Sequence, residues 1–492
     1  MPLPNVSQQK TTKKNGPAVD ACWHVVVITA VVTFIGVSFE RSMNYLYVAI
    51  MEEFGVDRKT ASWPMSVMTS LGGVIGIFVG LLQKRYLITH ITLVGSILTW
   101  VGVLTSGFAT STQWLILTMG VIHGIGSGII TVATKYFAMM YFDKHRGIAM
   151  GITSLGRTLA GFLFPQFLLY LRYTYSFRWS LFILGAISIN ITPLTYLLKE
   201  PHWCKRENQC GPTASIHTTS SGCTTELSIH QQERQRIQTP VQSLPEYSWT
   251  LSSMLCTPIF YVVVLSSAVT SAFEILFMNS MIDFCQDKGL TEDDAVWLAS
   301  YFNLTDILGR LCIPLLADRR FLRRSTLLML IQLLMASVVV SAPYATTYWS
   351  LAAIEAFAAI LVSSGTVMHD VLAVDYFGLE KLSMVYGVTG VVRAPLQLCN
   401  PLILGLFRDR TGSYDDMFRF LAGILYFLCV LWLAVVCSER RNLACVSSFR
   451  RQDSCTPENG PKGIFPAANS ESVNCPTASS SQILPERIVH GL

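Results

Sequence analysis

Charge is scarce in this chain: 14% of its 492 residues are Asp, Glu, Lys or Arg, against about a quarter in ordinary soluble domains. With 51% hydrophobic residues, that scarcity excludes a soluble globular class. A metal-ligand pattern is missing too. The 13 cysteines are scattered through apolar blocks, a central polar stretch and the tail, and only Cys285 lies near an external loop. That excludes a disulfide framework, and no CxxC or Cys/His spacing offers a metal site. No nucleophile–base constellation suggests an enzyme, so no cofactor is expected. No repeated polar ring suggests a channel filter. A cleavable signal peptide is not expected either, because polar residues precede a first apolar block too long for an h-region.

What the chain has is long apolar runs, many reaching the roughly 20 residues that cross a bilayer. Twelve spans are expected, at about 23–48, 62–83, 89–109, 113–138, 147–171 and 178–198, then 251–283, 295–316, 325–342, 347–373, 383–407 and 416–437. The fold class is therefore an all-α membrane protein of twelve transmembrane helices, an N-terminal half over 23–198 and a C-terminal half over 251–437. The polar stretch 199–250 is too poor in apolar residues to fold alone and is expected to be a disordered cytosolic linker. The segment 1–22 is expected to be a cytosolic tail, and 438–492, of the same polar character as the linker, a disordered cytosolic tail.

Basic residues set that orientation. Lys84, Arg85, Lys144, Arg146, Arg319, Arg320, Arg323 and Arg324 fall in the loops assigned to the cytosol, together with the linker and both tails. The net charge of +5 then reflects topology rather than nucleic-acid binding. Sequons at Asn5, Asn190 and Asn303 fall in the cytosolic tail or in spans, so none is expected to be glycosylated.

Ionisable residues inside spans are costly and usually face a cavity or a partner. The cations are Arg41, Lys135, Arg157, Arg310 and Arg393, and the acids nearest midspan are Glu40, Glu274, Asp306 and Glu355. Asp306 and Arg310 stand four residues apart and share one helix face. Two readings are open: a self-satisfied structural pair, or a guanidinium that docks a carboxylate while Asp306 takes a proton. Tyr45, Asn44, Phe302, Arg157 and Arg393 are candidates either for cavity lining or for packing. His123 and His369, in apolar spans, read as packed side chains. Gly147, Gly151, Gly156 and Gly161 read as points of close helix approach.

GLLQKRY (80–86) and PLLADRR (314–320) occupy corresponding positions after the second and eighth spans. With six-plus-six spans they resemble the loop motif of the major facilitator superfamily, whose two halves rock about a midplane site. YFDKHRGIAMGITSLGRTLAG (141–161) resembles the fifth-span motif of the monocarboxylate transporter family. DFCQDKGLTEDDAVWLASYFNLTDILGR (283–310), DYFGLEKLSMVYGVTGVV (375–392) and FRDRTGSYDDMFRFLAG (407–423) resemble the same family in order and spacing. The resemblance implies a plasma-membrane symporter that moves small monocarboxylates such as lactate or pyruvate with a proton. It implies Arg310 and Arg41 as substrate-binding residues and Asp306 as the proton-coupling residue. In several members it also implies a single-span immunoglobulin-type accessory glycoprotein.

Three departures bear on that expectation. The first-span entrance motif survives only as Asp20 and Trp23 in DACWHV (20–25). Arg41 stands where the family has Lys, and a guanidinium effectively never deprotonates. Coupling then rests on Asp306 alone or is lost, which keeps open an uncoupled facilitator for another carboxylate-bearing solute such as an amino acid, creatine or a hormone-like acid. Third, CNP (399–401) replaces the Gly-Pro-Pro expected in the eleventh span.

Overall fold

The computed structural model describes residues 20–201, 254–319 and 321–453. The chain divides after Glu439 into a large membrane unit and a second unit, of which residues 440–453 are described and are helical. The linker expected at 199–250 and the tail at 1–22 lie almost wholly outside the described residues, whereas of the tail at 438–492, expected to be disordered, residues 438–453 are described and continue the last helix. Among the described residues the fold is helical throughout, because in hydrocarbon a helix satisfies every backbone group within itself.

The membrane unit runs as twelve rods. The first is assembled from α1 (Trp23–Gly36), α2 (Ser38–Arg41) and α3 (Met43–Phe54). Next come α4 (Arg58–Leu82) and α5 (Ile88–Ser106). The fourth rod joins α6 (Thr112–Leu115), a π-helical stretch Ile116–His123 and α7 (Gly124–Tyr141). The half closes with α8 (Arg146–Tyr175) and a sixth rod made of α9 (Phe177–Ile189) and α10 (Ile191–Leu197). The second half holds α11 (Pro258–Asp287), α12 (Glu292–Asp318), α13 (Arg324–Ser341), α14 (Tyr348–Phe377), α15 (Leu382–Thr411) and α16 (Asp415–Asp453).

Ten of these stretches are long and apolar enough to cross a membrane. The other two are the first and eighth rods, and each falls short for a reason that matters. The first rod is not the continuous span expected at 23–48. It is interrupted at Val37 and Ser42 on either side of Glu40 and Arg41. Ser38 and Ser42 hydroxyls donate to the carbonyls of Ile35 and Ser38, at 2.7 and 2.9 Å, across the interruption. In α12, Asp306 and Arg310 dilute the apolar run. Irregular or charged segments at membrane depth are tolerated where they face protein or a cavity.

The two halves meet without intervening side chains at one end. A Cβ added at Gly76 would lie 2.6 Å from the Gly387 nitrogen, and one at Gly73 would lie 3.3 Å from Gly390. On the other flank, a Cβ at Gly147 would lie 2.8 Å from the Pro314 carbonyl, and one at Gly151 would collide with the Arg310 carbonyl. Glycine is required here because α4 meets α15, and α8 meets α12, backbone to backbone.

The same end carries an ion-pair network. Gly147 and Ile148 donate their backbone N–H groups to Asp318 at 3.1 and 2.9 Å. Arg324 bridges Asp318 and Asp375, and Arg146 reaches Asp375 at 3.1 Å. Asp318 of PLLADRR is therefore a carboxylate that receives the first turn of α8 from the opposite half. Its counterpart in GLLQKRY is Lys84, so a cation stands in the first half where the second half has the acid that receives a helix start. The repeat in sequence is not a repeat in contacts.

Asp20 and Trp23 have structural work. The Asp20 carboxylate accepts from the N–H groups of Asp143, Lys144 and His145, and Trp23 rests on Phe142 at 4.8 Å between ring centroids.

Candidate functional site

Charged side chains converge midway along the rods, from both halves. Two environments separate them. The first is dry. Arg310 donates from Nε to Asp306 Oδ2 at 2.7 Å and from Nη2 to Oδ1 at 3.1 Å, and both side chains are 5% exposed. Thr158, on α8 of the opposite half, donates its hydroxyl to Asp306 and accepts from Arg310 Nε at 2.7 Å. A salt bridge this buried needs such extra hydrogen bonds to offset the lost hydration. Asp306 and Arg310 are thus paired as the i, i+4 spacing predicts, and a third group from 148 residues away completes them.

The second environment is open. Arg157 of α8 faces Glu40 of α2 at 3.6 Å, with side chains 24% and 34% exposed. Arg41 of α2 faces Glu274 of α11 at 4.0 Å, with side chains 34% and 21% exposed. These are contacts at ion-pair range with no hydrogen bond between the partners, and the exposure places them on a cleft between the halves. Gly161 leaves room for the Arg41 stem, whose Cδ would lie 3.6 Å from a Cβ there. Lys135 of α7 crosses to Asp370 of α14 at 2.9 Å and lies over the Tyr386 ring at 4.6 Å. Arg393 of α15 is half-buried, and its electrostatic neighbours are Glu40, Arg157, Glu274 and Asp370.

The candidates from sequence divide accordingly. Arg41, Arg157 and Arg393 come together with Glu40 and Glu274. Phe302 does not join them; it is 3% exposed and packs in the apolar core beside Phe277 at 6.1 Å. The side chains of Asn44 and Tyr45 lie outside the described ones. His123 donates from Nδ1 to the Thr99 carbonyl, and His369 sits between the Gly365 carbonyl and the Ser266 hydroxyl. Both imidazoles are packed. Glu355 is buried in the second half, and neither of its carboxyl oxygens has a hydrogen-bond partner among the described residues.

Sequence reasoning missed Thr158, Asp370 and Asp375. Asp370 was findable, since an acid within an apolar block is a signal; it lies three residues from the expected end of its span. Thr158 carries no such signal.

Two helical halves that enclose a partly exposed cluster of opposite charges define a membrane transporter rather than an enzyme. The comparisons agree: residues 26–394 match the model described as Major Facilitator Superfamily, and the chain belongs to that superfamily. It is 24% identical to human "Monocarboxylate transporter 14", with 87% of this chain and 93% of that protein covered. It is 25% identical to the zebrafish (Danio rerio) "Monocarboxylate transporter 12-B", covering 82% and 84% of the two chains. Against chicken (Gallus gallus) "Monocarboxylate transporter 9" the identity is 22% over 85% and 94%. The E. coli fucose:proton symporter FucP has the same fold, with a TM-score of 0.62 at 13% identity over 84% of this chain and 98% of that one.

Proposed function

We propose that the protein moves small monocarboxylates of the lactate and pyruvate kind across the plasma membrane together with a proton, by alternating access. The observation that carries this reading is the Asp306–Arg310 pair, buried at the seam between the halves and held there by Thr158 of the opposite half. A carboxylate that enters the cleft is attracted by Arg41, which stays cationic throughout. The anion competes with Asp306 for Arg310, whose fork suits a carboxylate bidentately. Asp306, losing its cation, takes a proton on the freed oxygen. The proton offsets the charge of the bound anion, so the loaded carrier reorients without transferring net charge.

The orientation belongs to the same proposal. With the loops 83–87, 143–145 and 319–323 in the cytosol, along with both tails and the linker, the glycine contacts and the Asp318 network close the cytosolic end. The cleft then opens outward. The halves 23–198 and 251–437 are the rocking bodies.

Arg41 supports a second reading. Because it cannot release a proton, Arg41 offers no protonation step, and a facilitator without coupling follows if Asp306 stays paired. Uptake of radiolabelled pyruvate into expressing cells across an external pH series separates the two. Uptake that rises as external pH falls supports coupling, and uptake that is flat with pH replaces it with the facilitator.

A further inference from the structure

Five cations occupy the midspan cluster, namely Arg41, Lys135, Arg157, Arg310 and Arg393. Four acids face them: Glu40, Glu274, Asp306 and Asp370. Each of the first four cations has an acid within ion-pair distance. Arg393 has none among the described residues, although Glu40 and Glu274 are its electrostatic neighbours. An intramembrane guanidinium without a counter-ion is a costly feature, and the cost is tolerable only where water or a ligand reaches it.

Arg393 is not sealed, since its side chain is half-buried. On α15, Gly387 and Gly390 touch α4, so the halves are closed up to that level. Arg393 follows Gly390 by three residues, about one helical turn or roughly 4.5 Å, and is the first ionisable side chain beyond the contact. Its charged neighbours are Glu40, Arg157 and Glu274, the partly exposed groups of the open environment. Arg157 and Arg41, the other cleft guanidiniums, are each shared with a carboxylate at 3.6 to 4.0 Å.

We infer that Arg393 docks the substrate carboxylate in this conformation. This rests on the transport reading above and adds to it a docking residue. Docking at Arg393 precedes any exchange at Arg310, which is sealed behind Thr158 and Asp306 until the anion arrives. The guanidinium fork supplies two parallel hydrogen bonds that an ammonium cannot.

The test uses the full-length chain in two assays. In cells, pyruvate uptake is measured for wild type, Arg393→Gln and Arg393→Lys at matched surface levels. Arg393→Gln is expected to raise KM for pyruvate at least tenfold, while uptake at saturating pyruvate keeps its dependence on external pH. Arg393→Lys is expected to raise KM several-fold. A KM within twofold of wild type in Arg393→Gln overturns the inference; where that variant fails to reach the surface, the same result in Arg393→Lys overturns it. Binding is read separately as the rise in Tm that pyruvate gives the purified protein. A rise without uptake sinks the transport reading and keeps the dock. No rise in the wild type, or an equal rise in Arg393→Gln, sinks the dock.

Discussion

At the scale of the residue, the chemistry turns on which charges are sealed and which are wet. Arg310 and Asp306 satisfy one another, and Thr158 closes the remaining side. If Asp306 must accept a proton during each cycle, Asp306→Asn should abolish the dependence of uptake on external pH. Arg41→Lys should change it less. Measuring the uptake ratio between acidic and alkaline medium for both variants checks this, and a preserved ratio in Asp306→Asn removes Asp306 from the proton path. Arg310→Lys retains the charge and loses the fork. Its uptake should fall by about tenfold, the equivalent of losing one charge-assisted hydrogen bond of roughly 1.5 kcal/mol, with surface expression intact. Near-normal uptake would return Arg310 to a purely structural role. The i, i+4 spacing of this pair was legible in sequence because local geometry fixes it. Thr158 was not, since only the packing of α8 against α12 brings it there.

At the scale of the element, helix positions were legible because apolar length is a direct physical requirement of the bilayer. Interruptions were less so. Nothing in SFERSMN announces that the first rod breaks at Val37 and Ser42, although the charges at Glu40 and Arg41 mark the place where a break is useful. The closing contacts were partly legible, since Gly147 and Gly151 stood out as small residues, whereas the facing of Gly76 on Gly387 joins elements about 300 residues apart. Filling that contact gives an element-scale prediction. In Gly76→Ala the new Cβ would meet the Gly387 backbone at 2.6 to 2.8 Å. Overpacking of this kind costs about 1–3 kcal/mol, and only the conformation closed at that end bears it. The variant should shift its population toward the opposite conformation by roughly tenfold. Accessibility of an introduced cysteine at the Gly73 level to a membrane-impermeant thiol reagent, applied from each side, reports the shift; unchanged labelling refutes it.

At the scale of the whole molecule, orientation decides what the closed end means. Epitope tags in the linker and in both tails should be reached by antibody only after permeabilisation of expressing cells. Staining of any of these tags on intact cells would invert the assignment and make the open cleft face the cytosol. In the sequence, this proposed orientation rests on the basic loops alone. The charge network at the closed end, with Asp375 between Arg324 and Arg146, depends on tertiary placement and left no mark beyond the acidic residue itself. The cross-half contacts of the site also have a kinetic meaning. Lys135 with Asp370, Arg41 with Glu274, and Thr158 with the α12 pair each tie one half to the other. An empty carrier must break all three to turn around, with nothing bound to take their place. A loaded one gives up part of that attachment to its cargo before it moves. The return of the empty protein is then the slow leg of the cycle, and vesicles preloaded with unlabelled pyruvate should take up labelled pyruvate faster than empty vesicles do. The molecule is by this account an exchanger first and a net carrier second.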